Sequence, residues 1–277
     1  MGSRKEINIL GEFISENESI VILSGAGVST ASGIPDYRDQ NGDWKHTKPM
    51  QFGEFKSSAL ARKRYWARSY VGWQRISRAR PNVAHRALAD LESSGKVEML
   101  VTQNVDGLHS EAGSQSVIDL HGNLDKIRCV DCGATHARAS YQETLRHSNP
   151  RWCADVCRYQ PDGDAVLAED SHHDFSVPGC PDCGGFVKPD VVMFGESVPK
   201  ARVQRAFSAV DRAAALLVMG SSLMVYSGYR FALHASAQGM PLAIVNQGRT
   251  RADDIATLKV AQDCGAALSA AMRLVSV

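Results

Sequence analysis

"SIVILSGAGVSTASGIPDYRD", residues 19 to 39, begins as an unbroken apolar run and turns abruptly into glycines and small polar residues. Four aliphatic residues without polar alternation suit a strand covered on both faces, as in a parallel sheet flanked by helices. Three further runs have the same character: Val97 to Gln103, Ala214 to Ser222 and Pro241 to Gly248. Helical patterns fall between them. "PNVAHRALADLESSG" opens on Pro81 and Asn82 and stops at Gly95, and "YSGYRFALHASAQG" stops at Gly239, which is the punctuation expected of helices. The alternation predicts an α/β fold, a doubly wound parallel sheet of Rossmann type, with ligands beyond the carboxyl ends of the strands.

Behind the first strand, Gly25 and Gly27 let the backbone approach a ligand closely, and a helix opening there offers free N–H groups to a pyrophosphate. Glycines in this place also serve packing alone. The usual dinucleotide fingerprint wants a third glycine where Thr30 stands and an acidic residue closing the second strand. "GIPDYRD" follows instead, a rigid polar loop suited to covering a ligand. In "LVTQNVDGLH", residues 100 to 109, the strand ends in Gln103, Asn104 and Asp106. Such side chains either hold a polar ligand or cap the next helix. His121 follows the strand-like "VIDL". It is either a packing histidine or a base titrating near neutral pH.

The chain has 277 residues, 44% hydrophobic and 22% charged, an ordinary globular mixture that excludes disordered and fibrous classes. A formal charge of +1 gives no global field toward nucleic acid or anionic lipid. The start lacks an apolar core of signal-peptide length, and Glu6 breaks a myristoylation pattern. The longest apolar stretch, Ala213 to Gly220, is too short to span a bilayer. These readings predict a cytoplasmic protein with no membrane partner. Seven cysteines, four of them in CxxC pairs, suit a reducing compartment and a metal better than disulfides.

Two segments depart from the α/β pattern. Residues 47–81 are helical and basic, and residues 125–187 are loop-rich with cysteines; both read as insertions forming a smaller lobe. The sheet domain then comprises residues 1–46, 82–124 and 188–277. In the second insertion Cys129, Cys132, Cys180 and Cys183 form two knuckles, each followed by glycine. Four thiolates with no open position describe one structural Zn2+. Cys153, Cys157, His172 and His173 are spaced poorly for a second metal and are read as bystanders. The basic helix raises a second function class, a zinc-ribbon nucleic-acid binder, since seven Arg and one Lys between Arg62 and Arg86 interleave with Trp66, Tyr70 and Trp73. The aromatics fall at i, i+4 and i+7, a buried stripe that leaves the arginines on a solvated face. No direct nucleic-acid contact is therefore expected.

"GAGVSTASGIPDYR", "TQNVDGLH", "HGN" at His121 to Asn123, two CxxC pairs, "KPDVVMFGE" at Lys188 to Glu196, "GSSLMVYSG" and "NQG" occur in this order. From about Ile20 to Leu268 the chain resembles sirtuins, NAD-dependent protein deacylases. "RYWARSYVGW", "PDGDAVLAED" and "SSLMVYSGYRF" resemble most the class II branch, whose mitochondrial member has lipoamidase and ADP-ribosyl transfer activities; a bacterial member is expected. The resemblance implies a deacetylase-type reaction, in which the carbonyl oxygen of an acyl-lysine protein or peptide attacks the nicotinamide ribose of NAD. Nicotinamide leaves, an alkylamidate forms, and His121 acts as base on the ribose hydroxyls, with Asn104 beside it. Protein mono-ADP-ribosyl transfer is the alternative use of the same site.

For NAD the resemblance implies Gly25, Ala26, Gly27 and Ser29 in the first turn, and Pro35, Asp36, Tyr37 and Arg38 in the covering loop. Gln103 and Asn104 face the ribose, with Asp106 on the carboxamide and Val105 also at the cofactor. Gly220, Ser221 and Ser222 take phosphate and ribose, and Asn246, Gln247, Gly248 and Cys264 the adenosine end. Acyl-lysine falls to Val191, Met193, Phe194, Gly195, Glu196 and Val225. A Tyr-x-x-Arg pair, Tyr65 and Arg68, is similar to the pair that binds an acidic acyl chain in desuccinylating sirtuins.

Overall fold

The computed structural model describes residues 4–45, 49–160, 162–168 and 172–275. The expected boundary at residues 46 and 47, and parts of the amino-terminal segment and of "PDGDAVLAED", lie outside the described residues. Six strands form one parallel sheet: β1 (Ile20–Ser24), β2 (Val97–Thr102), β3 (Val117–Asp119), β9 (Ala215–Met219), β10 (Leu242–Val245) and β11 (Leu258–Val260). Their order is β11-β10-β9-β1-β2-β3. The chain runs outward from β1 to β3 and then returns to β9 on the other side of β1. That reversal leaves a crevice beyond the carboxyl ends of β1 and β9.

Every residue of β1, β9 and β10 is buried. Alternate side chains leave β1 on opposite faces, so two cores form. Ile20 and Ile22 join a cluster with Leu10, Ile14, Leu88 and Leu268, supplied by α1 (Arg4–Glu16), α4 (Val83–Ser93) and α9 (Cys264–Val275). Val21 and Leu23 join Leu216, Val218, Val210 and Phe231, against α7 (Lys200–Arg212) and α8 (Tyr226–Ala237). Each of those aliphatic side chains is worth about 1.5–3 kcal/mol of burial. The start of α4 falls where Asn82 was read: its Oδ1 accepts from Ala84 N at 2.8 Å, and His85 Nδ1 accepts from Asn82 N at 3.3 Å, closing a capping box.

The helix expected directly after β1 is not there. Residues 26–28 and 30–32 form two short 3₁₀ turns, and Gly33 then adopts φ +82°. Glycine, serine and threonine are poor helix formers, and Pro35 follows closely.

Most of the remaining elements build the smaller part of the molecule. α2 (Phe52–Ser57), α3 (Ala59–Ile76) and α6 (Arg138–Ser148) surround an antiparallel sheet of β4 (Gly122–Cys129), β5 (Thr135–Ala137) and β8 (Val187–Val191), ordered β5-β4-β8. β6 (Val156–Tyr159) pairs with β7 (Ala165–Leu167), and α5 (Leu108–Glu111) follows β2. Trp66, fully buried, donates from Nε1 to Val187 O at 3.0 Å and fixes α3 on β8. Tyr70 and Trp73 continue its stripe, half-buried. The arginines flanking this stripe are solvated, as expected, with Arg75, Arg78, Arg80 and Arg86 exposed, and several are also tethered. Arg62 donates to Phe55 O and Lys56 O, Arg64 pairs with Glu54, and Arg75 donates to Gly33 O at 2.9 Å. Among the described residues no helix is long and apolar enough to cross a membrane.

Candidate active site

A cavity of about 750 Å³ opens at the crevice beyond β1 and β9. Its walls are two glycine turns held against each other. Gly25 N donates to Met219 O at 3.0 Å and Gly27 N to Gly220 O at 2.8 Å. A Cβ on Gly25 would sit 2.7 Å from Ser221 Cβ, and one on Gly27 2.9 Å from Gly220 O. The close approach that demands glycine is thus first of all between these two turns, which together face the cavity with Ala26, Ser29, Ser221 and Ser222.

The polar end of β2 is cross-braced on the same turns. Gln103 Nε2 donates to Ser221 Oγ at 2.8 Å, and Asn104 Nδ2 to Gly25 O at 3.1 Å and Ser29 Oγ at 3.0 Å. Asp106 Oδ1 accepts from Leu108 N at 3.0 Å at the start of α5, while Oδ2 accepts from Ser29 Oγ at 2.7 Å on the cavity wall. Burial raises its pKa, opposed by those two bonds.

His121 stands between β3 and β4. The backbone turns there because Gly122 adopts φ +87° with Asp190 O only 2.0 Å from where a Cβ would lie. His121 O accepts from Val192 N at 2.7 Å. Its Nδ1 lies 2.9 Å from Gln103 O. A carbonyl only accepts, so Nδ1 carries the proton and Nε2 the lone pair. Nε2 lies 2.7 Å from Ser227 Oγ. Burial pushes the imidazole pKa down to about 4, opposed by the Gln103 carbonyl and helped by Arg202 and Arg230. The ring is neutral at physiological pH, ready to take a proton.

Above the cavity the 35–45 loop is stiffened by aromatics. Tyr37 meets Trp44 and Phe194 edge-on, and Arg38 stacks 3.7 Å above the Trp44 ring. Burial raises the Tyr37 phenol well above its ordinary value. Across from this loop, Val191, Met193, Phe194, Gly195 and Glu196 line the cavity, as does Val225. Glu196 Oε2 anchors that strap, accepting from Lys188 Nζ and Met193 N, each at 3.0 Å. At the far end are Asn246, Gln247, Gly248 and Cys264. Asn246 Nδ2 donates to Gly248 O at 2.9 Å, and burial pushes the Cys264 thiol up to about 12. Asp36, Val105 and Gly220 complete the anticipated lining.

Two anticipated residues are elsewhere. Pro35 faces a separate small cleft with Gly72 and Arg75. Arg68 is the more consequential correction. Tyr65 reaches the cavity, but Arg68 donates from Nε to Ala165 O at 3.0 Å and opposes the rise that burial gives the Asp164 carboxyl pKa. A spacing of three on α3 put both residues on one face but did not reveal that the Ala165 carbonyl claims the guanidinium. Arg68→Met is therefore expected to leave the ratio of succinyl to acetyl turnover unchanged within about twofold. It should cost about 1–3 kcal/mol of stability by stranding buried polar groups. Melting curves and paired peptide assays check it; selective loss of succinyl turnover would return Arg68 to the acyl pocket. Trp44, Asp162, Ser227 and Arg230 also line the cavity and escaped sequence reading. Only Trp44 carried a signal, an aromatic closing the polar loop.

The four knuckle cysteines bring their Sγ atoms within 4.8 Å of one another. Cys129 and Cys183 are 3.5 Å apart and Cys132 and Cys180 3.8 Å. Gly133 and Gly184 adopt φ +77° and +76°, freeing each turn as the sequence suggested. Cys132 N and Gly185 N point at Cys129 Sγ and Cys183 Sγ, donors that stabilise thiolates. Four convergent sulfurs with N–H support fit a tetrahedral structural zinc. Cys153 and Cys157 are exposed and outside the cluster.

The Sir2 family pattern matches residues 25–227. The chain belongs to the Sir2 family. An NAD-dependent protein deacetylase of Bordetella bronchiseptica is 53% identical over 97% of this chain and 98% of its own length. The human mitochondrial NAD-dependent protein lipoamidase sirtuin-4 is 47% identical over 94% of this chain and 84% of its own. A solved structure of Sir2 with a p53 peptide and NAD+ is similar at TM-score 0.76 and 32% identity, over 97% of this chain and 98% of that one. Sir2 bound to acetylated peptide is similar at TM-score 0.75 and 32% identity, with the same coverage.

Proposed function

We propose that the chain is an NAD-dependent protein lysine deacetylase, passing the acyl group of an acyl-lysine to ADP-ribose with release of nicotinamide. The observation that carries this reading is the neutral His121, protonated on Nδ1 and placed on the wall of a cavity closed by the two glycine turns and the 191–196 strap. NAD supplies an electrophilic ribose carbon and nicotinamide as leaving group. The chain's own part is to place and shield these. Gln103 and Asn104, fixed on the turns, present their remaining polar edges to the ribose, and Asp106 faces the carboxamide. Gly220, Ser221 and Ser222 receive phosphate, Asn246 and its neighbours the adenosine, and the Tyr37–Trp44 loop covers the cofactor. Val191, Phe194 and Val225 flank the acyl-lysine, with Tyr65 at its acyl end. His121 takes the proton of the ribose hydroxyl.

The six-stranded sheet with its helices is the NAD-binding domain in this reading, and the zinc module with α2 and α3 the smaller lobe. A four-thiolate centre suits a reducing compartment, and we place the protein in the cytoplasm.

Incubation with NAD and an acetyl-lysine peptide is expected to give lysine, nicotinamide and O-acetyl-ADP-ribose in equal amounts. Labelled protein without deacetylated peptide would favour mono-ADP-ribosyl transfer instead. A peptide panel that includes succinyl- and lipoyl-lysine ranks the acyl chains. Because the His121 pKa is lowered to about 4, the base stays competent as pH falls through the usual imidazole range. The value of kcat/KM should stay flat down to about pH 5.5; an acid limb centred near 6.5 would contradict it.

A further inference from the structure

Ser227 stands in the first turn of α8 on the cavity wall, and its hydroxyl is 2.7 Å from His121 Nε2. With the Nδ1 proton committed to Gln103 O at 2.9 Å, the hydroxyl can only donate, and Nε2 has one lone pair to receive it. This is the sole side-chain hydrogen bond of Ser227 among the described residues. The contact is built into the fold. Gly228 brings the helix start against β2, since a Cβ there would lie 2.4 Å from Gln103 Oε1. Ser227 is thereby held over the same residue whose carbonyl orients the ring.

We propose that Ser227 is a positioning residue for the base, occupying the Nε2 lone pair until a ribose hydroxyl displaces it. The inference rests on His121 being the base. The serine oxygen marks where an alcohol sits when it donates to Nε2. While bound, the hydroxyl fixes the ring plane and favours the neutral imidazole, because it bonds only to the unprotonated nitrogen. The charged neighbours act in the same sense: Arg202 of α7, which donates to Leu120 O at 3.2 Å, and Arg230 of α8 both oppose protonation. Asp119 at the end of β3 sits beside Arg202 and accepts from Asn123 at 3.3 Å. One lone pair cannot serve two donors, so NAD must turn the Ser227 hydroxyl away before the ribose can lose its proton.

Ser227→Ala removes a hydrogen bond to the neutral form alone and should raise the His121 pKa by about one unit. The readout is an imidazole NMR titration of the NAD-free protein, with His121→Ala assigning the resonance. Ser227→Thr, which keeps a hydroxyl, should restore the parent value. In Ser227→Ala the acid limb of kcat/KM should move up in step with the imidazole titration. An unmoved imidazole titration overturns the proposal whatever the activity. A moved titration in a protein that fails to deacylate upholds the contact and removes the base assignment instead. If Ser227→Ala does not fold, the unsubstituted protein decides: its His121 must be the Nδ1–H tautomer, and the Nε2 nitrogen shift must change on adding NAD. An Nε2–H tautomer or an unchanged shift overturns it.

Discussion

His121→Ala is expected to lower deacylation by about two to four orders of magnitude, the range of a positioned general base. Fold and NAD binding should survive. The ring stands at the cavity wall, so its loss leaves space that water can enter, and the one backbone acceptor it abandons, Gln103 O, then meets solvent. Other contacts at the end of β2 remain: Gln103 on Ser221 and Asn104 on Gly25 do not depend on the imidazole. Peptide turnover measured beside an NAD titration separates the two effects. Residual turnover within about tenfold of the parent would move the base elsewhere. Loss of NAD binding would make His121 a structural residue. Asn104 differs, because its amide ties Gly25 O to Ser29; its removal loosens the turn that shapes the cavity, so KM and kcat should change together.

The sheet was legible because its strands are buried on both faces: four apolar runs without alternation became β1, β2, β9 and β10 within three residues of the stretches quoted. β11 was not, since Leu258–Val260 is three residues long and one of them is a lysine. The small antiparallel sheet was hidden by Pro189 in β8. Proline argues against a central strand, but β8 is an edge, pairing only with β4. Within the cavity, residues on the strand-end turns were readable because glycine and amide clusters there have few other uses. Ser227 and Arg230 were not. They come from the first turns of a helix that looks ordinary in sequence, and only the tertiary placement of α8 against Gln103 turns them toward His121. Arg68 failed for the converse reason: helical spacing gives a face but not which buried group competes for it.

Removing the metal should be the most damaging perturbation of structure. Cys129 and Cys180 are buried in the apolar cluster of the smaller lobe with Phe55, Trp66 and Phe175. Cys129 ends β4, and Cys180 N donates to Gly185 O just ahead of β8. The knuckles therefore clamp the end of β4 to the start of β8, across a span from Gly133 to Gly179 that makes a long loop to close. Structural zinc in small sites contributes about 10–16 kcal/mol to folding, comparable with or above the whole stability of an ordinary domain. Chelation or Cys180→Ser should melt this lobe, and with it the strap from Val191 to Glu196 and the seat of Tyr65, abolishing turnover. The six-stranded sheet has its own two cores on α1, α4, α9, α7 and α8, so part of the helical signal should persist and the transition should cease to be two-state. Metal analysis should find about one zinc for the one four-cysteine cluster. Active, natively folded protein with negligible metal would overturn this account, and a complete collapse of both lobes would show that the sheet domain depends on its partner to fold.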